Sequence, residues 1–158
     1  MQQRRCWRVW AAGGLGGWCA LAAAALACAT PAAWACGESL PVASRLLAAA
    51  DSGAAKGWQL ALAPQPAPLA VGRMVALDVV LCPPAGQTLP RTLAVDAWMP
   101  AHRHGMNYSA TVRALGDGRY RAEGLMLHMP GHWQLTFEWP AAAAEQAPLR
   151  LVRDVSLR

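Results

Sequence analysis

Apolar and polar residues alternate with a period of two through most of the chain from Trp58 onward. This alternation is typical of half-buried β-strands, in which successive side chains point to opposite faces. The clearest run covers residues 132–139, where we expect an inward set, Trp133, Leu135 and Phe137, and an outward set, Gln134, Thr136 and Glu138. The pattern therefore predicts β-structure rather than helices.

Turn residues divide the pattern into about seven short strands. We predict strands at 58–62, 73–81, 92–98, 108–114, 119–127, 132–139 and 149–157. The prolines that follow residue 62 should end the first strand, and Met74 should belong to the core. Gly116-Asp117-Gly118 has the turn chemistry of a β-hairpin. Seven short strands with frequent turns predict an all-β fold, an immunoglobulin-like β-sandwich.

The first 35 residues have the composition of a cleaved secretory signal peptide. Three arginines lie within the first eight residues, an uncharged stretch runs from Val9 to Ala29, and Ala33-Trp34-Ala35 supplies the small residues that a signal peptidase reads. A retained membrane anchor is one alternative, because the stretch is just long enough to span a bilayer. A lipoprotein is another. We expect a soluble protein of the bacterial periplasm.

The domain organisation follows from this reading. We predict a signal peptide at 1–35, an N-terminal lead-in at 36–57 and a β-sandwich domain at 58–158. The lead-in forms either a short helix over 41–50, with Ser39 near its N-cap and Gly53 after its end, or a loosely docked arm.

Removal of the signal peptide changes the charge and cysteine counts. Three of the 14 basic residues leave with it and all 9 acidic residues stay, so 11 basic residues and a net charge of +2 remain. This argues against a nucleic-acid partner. Cys36 and Cys82 are the remaining cysteines, and in an oxidising compartment they are expected to form a disulfide. A pair of thiolate metal ligands is the alternative.

All four histidines and four methionines fall in two segments that flank the predicted hairpin. The segments are Met99-Pro100-Ala101-His102-Arg103-His104-Gly105-Met106 and Met126-Leu127-His128-Met129-Pro130-Gly131-His132. In an extended first segment, residues 102, 104 and 106 share a face, and the Pro130-Gly131 turn can direct residue 132 back toward the second.

Imidazole and thioether groups are neutral, soft ligands that suit Cu(I). Folding that brings the two segments together would therefore form a metal site. The candidate metal ligands, best first, are His102, His104 and His128, then Met106 and His132. Met126 and Met129 lie on opposite faces of one strand, so we expect at least one of them to pack in the core.

Enzyme chemistry has little support in the sequence. No serine lies in a nucleophile-elbow setting, and Lys56 is the single lysine. Asp96 is close to the histidines in sequence but has no activated nucleophile to serve. We expect Asp96 to orient a histidine or to cap a turn, and the protein not to be an enzyme.

The stretches 96–108, 118–125 and 128–133 resemble the YtkA-like domain family of small exported bacterial proteins. The motifs M-P-x-H-x-H-G-M and H-M-P-G-x-W carry the resemblance, which covers about residues 70–140. The resemblance implies a sandwich similar to periplasmic copper-resistance proteins of the CopC kind, and a link to copper handling and periplasmic cytochromes. The ligand positions that it implies are His102, His104, Met106, His128 and Met129.

Two functions remain open from the sequence. The first is a periplasmic metal-binding protein for copper handling or delivery, with a copper ion, favoured as Cu(I), as its cofactor. The alternative is a structural or assembly module that binds a periplasmic or membrane-bound respiratory partner, such as a cytochrome complex. Trp98, Met99 and Tyr108 would then form its apolar, aromatic docking surface.

Overall fold

In the computed structural model, residues 36–142 and 146–158 are described, and they form two antiparallel β-sheets without an α-helix. The predicted signal peptide, 1–35, lies outside the described residues. A short 3-10 turn covers Val42–Ser44. Nothing helical in the described ranges is long and apolar enough to cross a membrane. The prediction of an all-β sandwich is confirmed.

Nine strands lie in this part of the chain. They are β1 (Leu46–Ala49), β2 (Gln59–Gln65), β3 (Met74–Cys82), β4 (Ala94–Met99), β5 (His104–Gly105), β6 (Thr111–Gly116), β7 (Arg119–Met126), β8 (Gly131–Trp139) and β9 (Leu149–Leu157). Sheet A has the strand order β1-β2-β3-β7-β6, and sheet B has the order β5-β4-β8-β9. The chain passes from sheet A to sheet B between β7 and β8.

The core lies between the sheets and follows the period-two pattern. Trp133, Leu135 and Phe137 of β8 are each at most 1% exposed, as predicted. On β7, Gly124 has φ +85°, and the pairing of β3 with β7 shifts register at this point. A glycine bulge of this kind adds one residue and changes which residues face inward. As a result Leu125 is buried.

Of the two alternatives for the lead-in, the short helix over 41–50 is wrong. Residues 46–49 form β1 instead, which pairs antiparallel with β2 and places Leu46 opposite Leu62. Hydrogen bonds to a neighbouring strand and burial against the core outweigh the high intrinsic helix propensity of this Leu-Ala segment.

Three local predictions also differ from the structure. Met74 is 47% exposed because its neighbour Val75 takes the inward position on β3. Thr136 lies on the outer face but is 7% exposed, since Arg150 covers it and donates a hydrogen bond to its Oγ1 at 3.3 Å. β2 continues through Pro64 because the pairing with β1 ends at residue 62, so no ladder bond is lost there.

The predicted disulfide between Cys36 and Cys82 is confirmed. It ties the start of the described chain to the end of β3. Gly37 has φ +78°, and a Cβ atom at this position would lie 2.1 Å from the Cβ of Ala61. The segment at Gly37 therefore lies directly on β2, which explains why Ala61 is buried.

We expect the Cys36→Ser/Cys82→Ser variant to lose about 4 kcal/mol of unfolding free energy, because the closed loop no longer restricts the unfolded chain. Urea unfolding of the wild type and the variant measures this loss. A reducing agent should lower the wild-type midpoint to that of the variant and leave the variant unchanged. A wild-type midpoint that does not respond to reduction would contradict the structural role of the bond.

Tyr120 joins β7 to the loop before β4, since its hydroxyl donates a hydrogen bond to the Pro90 carbonyl. Burial raises the pKa of the Tyr120 phenol above its ordinary value of 10.0. The neutral phenol therefore stabilises the fold below pH 10, and this contribution is lost as the pH rises through the raised pKa.

Tyr120→Phe should lower the unfolding free energy at neutral pH by about 1 kcal/mol, since the Pro90 carbonyl loses its donor. It should also remove part of the loss of stability seen above pH 10. Tyr108→Phe, at an exposed side chain, is the matched control and should stay within about 0.5 kcal/mol of wild type. Equal effects of the two changes at neutral pH would refute the assigned role of Tyr120.

Candidate functional site

Three of the four histidines meet at one end of the sandwich. The ring centroids of His104 and His128 are 5.1 Å apart, with 26° between the ring planes. The ring of His102 lies 5.9 Å from that of His104. Folding thus brings together the two segments, in which His104 and His128 are 24 positions apart, as predicted.

The first segment is placed by a tight β-hairpin between β4 and β5. The backbone N–H groups of His102 and Arg103 both donate to the Met99 carbonyl, at 3.2 and 2.9 Å, and Arg103 has φ +54°. Residues 102–106 are therefore not one extended segment, which corrects the expectation that 102, 104 and 106 share one face of a strand. His102 lies on the exposed turn, whereas His104 is half-buried on β5.

The second segment is placed by the crossing from sheet A to sheet B. Leu127, just before His128, is 2% exposed, and its carbonyl accepts a hydrogen bond from Gly72 at 2.9 Å. On the other side of His128, the Met129 carbonyl accepts a hydrogen bond from Trp133 Nε1 at 3.0 Å. These two bonds hold the crossing at both ends, so the position of His128 is well defined.

Trp133 forms the inner wall of the site. Its ring is fully buried and lies edge-on to both imidazoles, with centroid distances of 5.5 Å to His128 and 5.9 Å to His104. The indole excludes water from one side of the imidazole pair. Sequence reasoning placed Trp133 in the core but did not connect it with the histidines.

The hydrogen bonds of the two inner histidines differ. His104 Nδ1 lies 2.9 Å from the Gly105 carbonyl oxygen. Because a carbonyl oxygen only accepts, this contact assigns the proton of the neutral imidazole to Nδ1, and in that tautomer Nε2 has the lone pair that can bind a metal ion. His128 Nδ1 is buried and has no hydrogen-bond partner among the described residues. A buried polar atom without a partner costs about 1–3 kcal/mol, and native structures keep few of them.

The structure does not bring His132 to the other histidines. Its Nε2 lies 2.9 Å from Asp154 Oδ1, and both side chains are about half exposed. Asp96 does not orient a histidine either, because its Oδ1 accepts the hydrogen bond of the next residue's N–H, at 2.7 Å.

The methionines of the two segments take different positions. Met106 and Met129 are partly buried and pack against the core, which agrees with the expectation that one of Met126 and Met129 packs there. Met99 is 2% exposed, so its predicted place in an exposed docking surface is wrong. Met99 alternates in step with Val95 and Ala97 on β4, so its side chain points inward. The sequence already contained this alternation.

The donors at this end of the sandwich are therefore imidazole nitrogens and thioether sulfurs. Within residues 36–142 and 146–158, no three His, Cys, Asp or Glu side chains are arranged so that they could hold a metal ion together. Methionine sulfur is a further type of donor, and it is abundant here. A metal site in this place would combine the imidazole pair with methionine sulfur.

One comparison with known proteins identifies a family for this chain. A protein-family model described as YtkA-like matches residues 53–138, which is more than half of the chain and includes both histidine segments. Searches of the curated proteins and of the solved structures found no match. The extent of the family match shows that this chain belongs to the YtkA-like family.

Proposed function

We propose that this protein binds a copper ion as Cu(I) at the histidine cluster and serves copper handling or delivery in the bacterial periplasm. The observation that carries the proposal is the stacked pair of His104 and His128, 5.1 Å apart, with a buried and unpartnered nitrogen on His128. A metal ion bound by this pair would give that nitrogen the partner that it lacks.

The chemistry of the donors fits Cu(I) better than other ions. The site offers neutral nitrogen and sulfur donors against an apolar indole, so a singly charged, soft ion needs no buried carboxylate. Calcium and magnesium ions require oxygen ligands, and a zinc site more often contains cysteine, a carboxylate or a third well-placed histidine. Cys36 and Cys82 are joined in a disulfide and supply no thiolate.

The ligands are proposed in an order that follows their positions. His104 and His128 are the principal ligands. The additional candidates are His102, on the exposed turn beside His104, and the partly buried Met106 and Met129. His132 has the weakest claim, since it pairs with Asp154 on the outer face.

The proposed location follows from two features. The first 35 residues have the composition of a signal peptide, and the Cys36–Cys82 disulfide suits an oxidising compartment. We propose that the mature protein begins at or near Cys36. A membrane-anchored form is the less favoured alternative.

Binding to a respiratory partner is the second candidate function. The large side chains of Trp98 and Tyr108 are 42% and 52% exposed and flank the β5 strand in sequence, which supports a docking surface without Met99. The two candidate functions predict different effects of substitutions. Trp98→Ala should weaken capture of a partner, while loss of the histidine pair should leave that capture intact.

The exported protein should withdraw about one Cu(I) from a weak chromophoric chelator, because the imidazole pair and nearby sulfurs form one site. The His104→Ala/His128→Ala variant should withdraw none. His132→Ala is the matched control, since it removes a histidine outside the cluster, and should behave as wild type. Competition at constant pH measures all three, with circular dichroism to check folding.

Failure of the wild type to withdraw copper, or equal withdrawal by the double variant, would overturn the copper proposal. Loss of binding in His132→Ala alone would move the site to the outer face of β8.

Copper should also stabilise the folded protein, since the ligands come together only on folding. A free Cu(I) concentration of 100 times the dissociation constant should add about 2.7 kcal/mol to the unfolding free energy. Thermal unfolding measures this gain in stability, under anaerobic conditions and without a reducing agent. The His104→Ala/His128→Ala variant should show no gain, and a gain of equal size there would indicate binding elsewhere.

A further inference from the structure

Met99 lies directly opposite His104 in the β4–β5 hairpin. Side chains of directly opposite residues in an antiparallel pair point to the same face, with Cβ atoms about 4.5–5.5 Å apart. That face is the interior, because Met99 is 2% exposed and the His104 ring contacts the buried indole of Trp133. The thioether of Met99 therefore extends from the base of the histidine cluster.

The end of the Met99 side chain lies against the second segment. A Cβ atom at Gly131 would be 2.6 Å from Met99 Cε, so this methyl group packs directly on the backbone of residue 131. Gly131 has φ +124° and starts β8, three residues after His128. The sulfur is one bond from that methyl group, so Met99 bridges the strand of His104 and the turn of His128.

We infer that Met99 supplies the sulfur ligand that completes the proposed Cu(I) site with His104 and His128. This inference rests on the proposed function and extends it, because it names a donor outside the set of candidate ligands. Met99 pairs with His104 in the hairpin and its methyl group packs on Gly131, so its contacts connect the two segments.

A buried thioether here has a defined chemical effect. It is a neutral, soft donor, so it favours Cu(I) over zinc and over the harder Cu(II). Unlike a thiolate, it cannot be lost to a disulfide in an oxidising compartment. Gly131 has a matching role, since any side chain at that position would displace the end of Met99.

The simplest alternative is that Met99 only fills the core. Met99→Leu separates the two roles, because leucine has a similar volume and such exchanges usually cost less than about 1.5 kcal/mol. Met74→Leu is the matched control, since Met74 is exposed on sheet A. The Met106→Leu/Met129→Leu variant removes the other two candidate sulfurs.

Competition against a Cu(I) chelator and X-ray absorption of the copper-loaded protein test the inference. Met99→Leu should weaken Cu(I) binding roughly tenfold or more, equivalent to about 1.4 kcal/mol, and should lose the sulfur neighbour of copper. Zinc affinity, measured alongside, should stay unchanged. Met74→Leu should match wild type, and Met106→Leu/Met129→Leu should keep a sulfur neighbour.

The outcomes separate the two proposals. A wild type that binds no Cu(I) refutes the proposed function. A wild type that binds Cu(I) with nitrogen neighbours alone, or a Met99→Leu variant that keeps both affinity and sulfur, refutes the role of Met99 and leaves the copper site standing. When Met99→Leu fails to fold, the spectra of the wild type and of Met106→Leu/Met129→Leu give the answer, because loss of the sulfur neighbour in that double variant refutes the role of Met99.

Discussion

The packing of the Trp133 indole at the end of the sandwich is the interaction on which the site depends. The ring is fully buried, and its edge contacts involve the imidazoles of two different segments. Its N–H also holds the Met129 carbonyl beside His128. One side chain therefore fixes the distance between a hairpin of sheet B and the crossing from sheet A.

The topology makes this meeting possible. β4 and β8 are neighbours in sheet B, so the hairpin that follows β4 lies next to the start of β8. The bulge at Gly124 determines which residues at the end of β7 face inward before the chain crosses to sheet B. Because of it, Leu125 faces the core. The geometry of the histidines is thus a consequence of sheet order and of one irregularity in β7.

Much of the fold was predictable because alternation of apolar and polar residues along a strand indicates which side chains are buried. The core residues of β3 and β8 follow from the sequence in this way. The disulfide follows instead from the two cysteines that remain after the signal peptide. β1 was not predictable, because its short Leu-Ala segment has no alternation of its own and becomes a strand by pairing with β2. Extension of β2 through Pro64 likewise depends on where its neighbour ends.

The candidate site was predictable in part. The two segments could be recognised by composition, whereas their meeting depends on the pairing of β4 with β8 in sheet B. The outward position of His132 was available from the alternation that places Gln134 outward, but its pairing with Asp154 of the distant strand β9 was not. The inward position of Met99 was available from its parity on β4 and was missed because the aromatic neighbours suggested a surface.

The central claim is that one ion is held jointly by His104 and His128. Long-range hydrogen–nitrogen NMR correlation of the imidazole rings, recorded during a Cu(I) titration, tests this claim at the atoms concerned. The ring nitrogens of His104 and His128 should shift together and saturate at about one equivalent, with those of His132 unmoved. Shifts confined to His132, or no shift of the inner pair, would contradict the account.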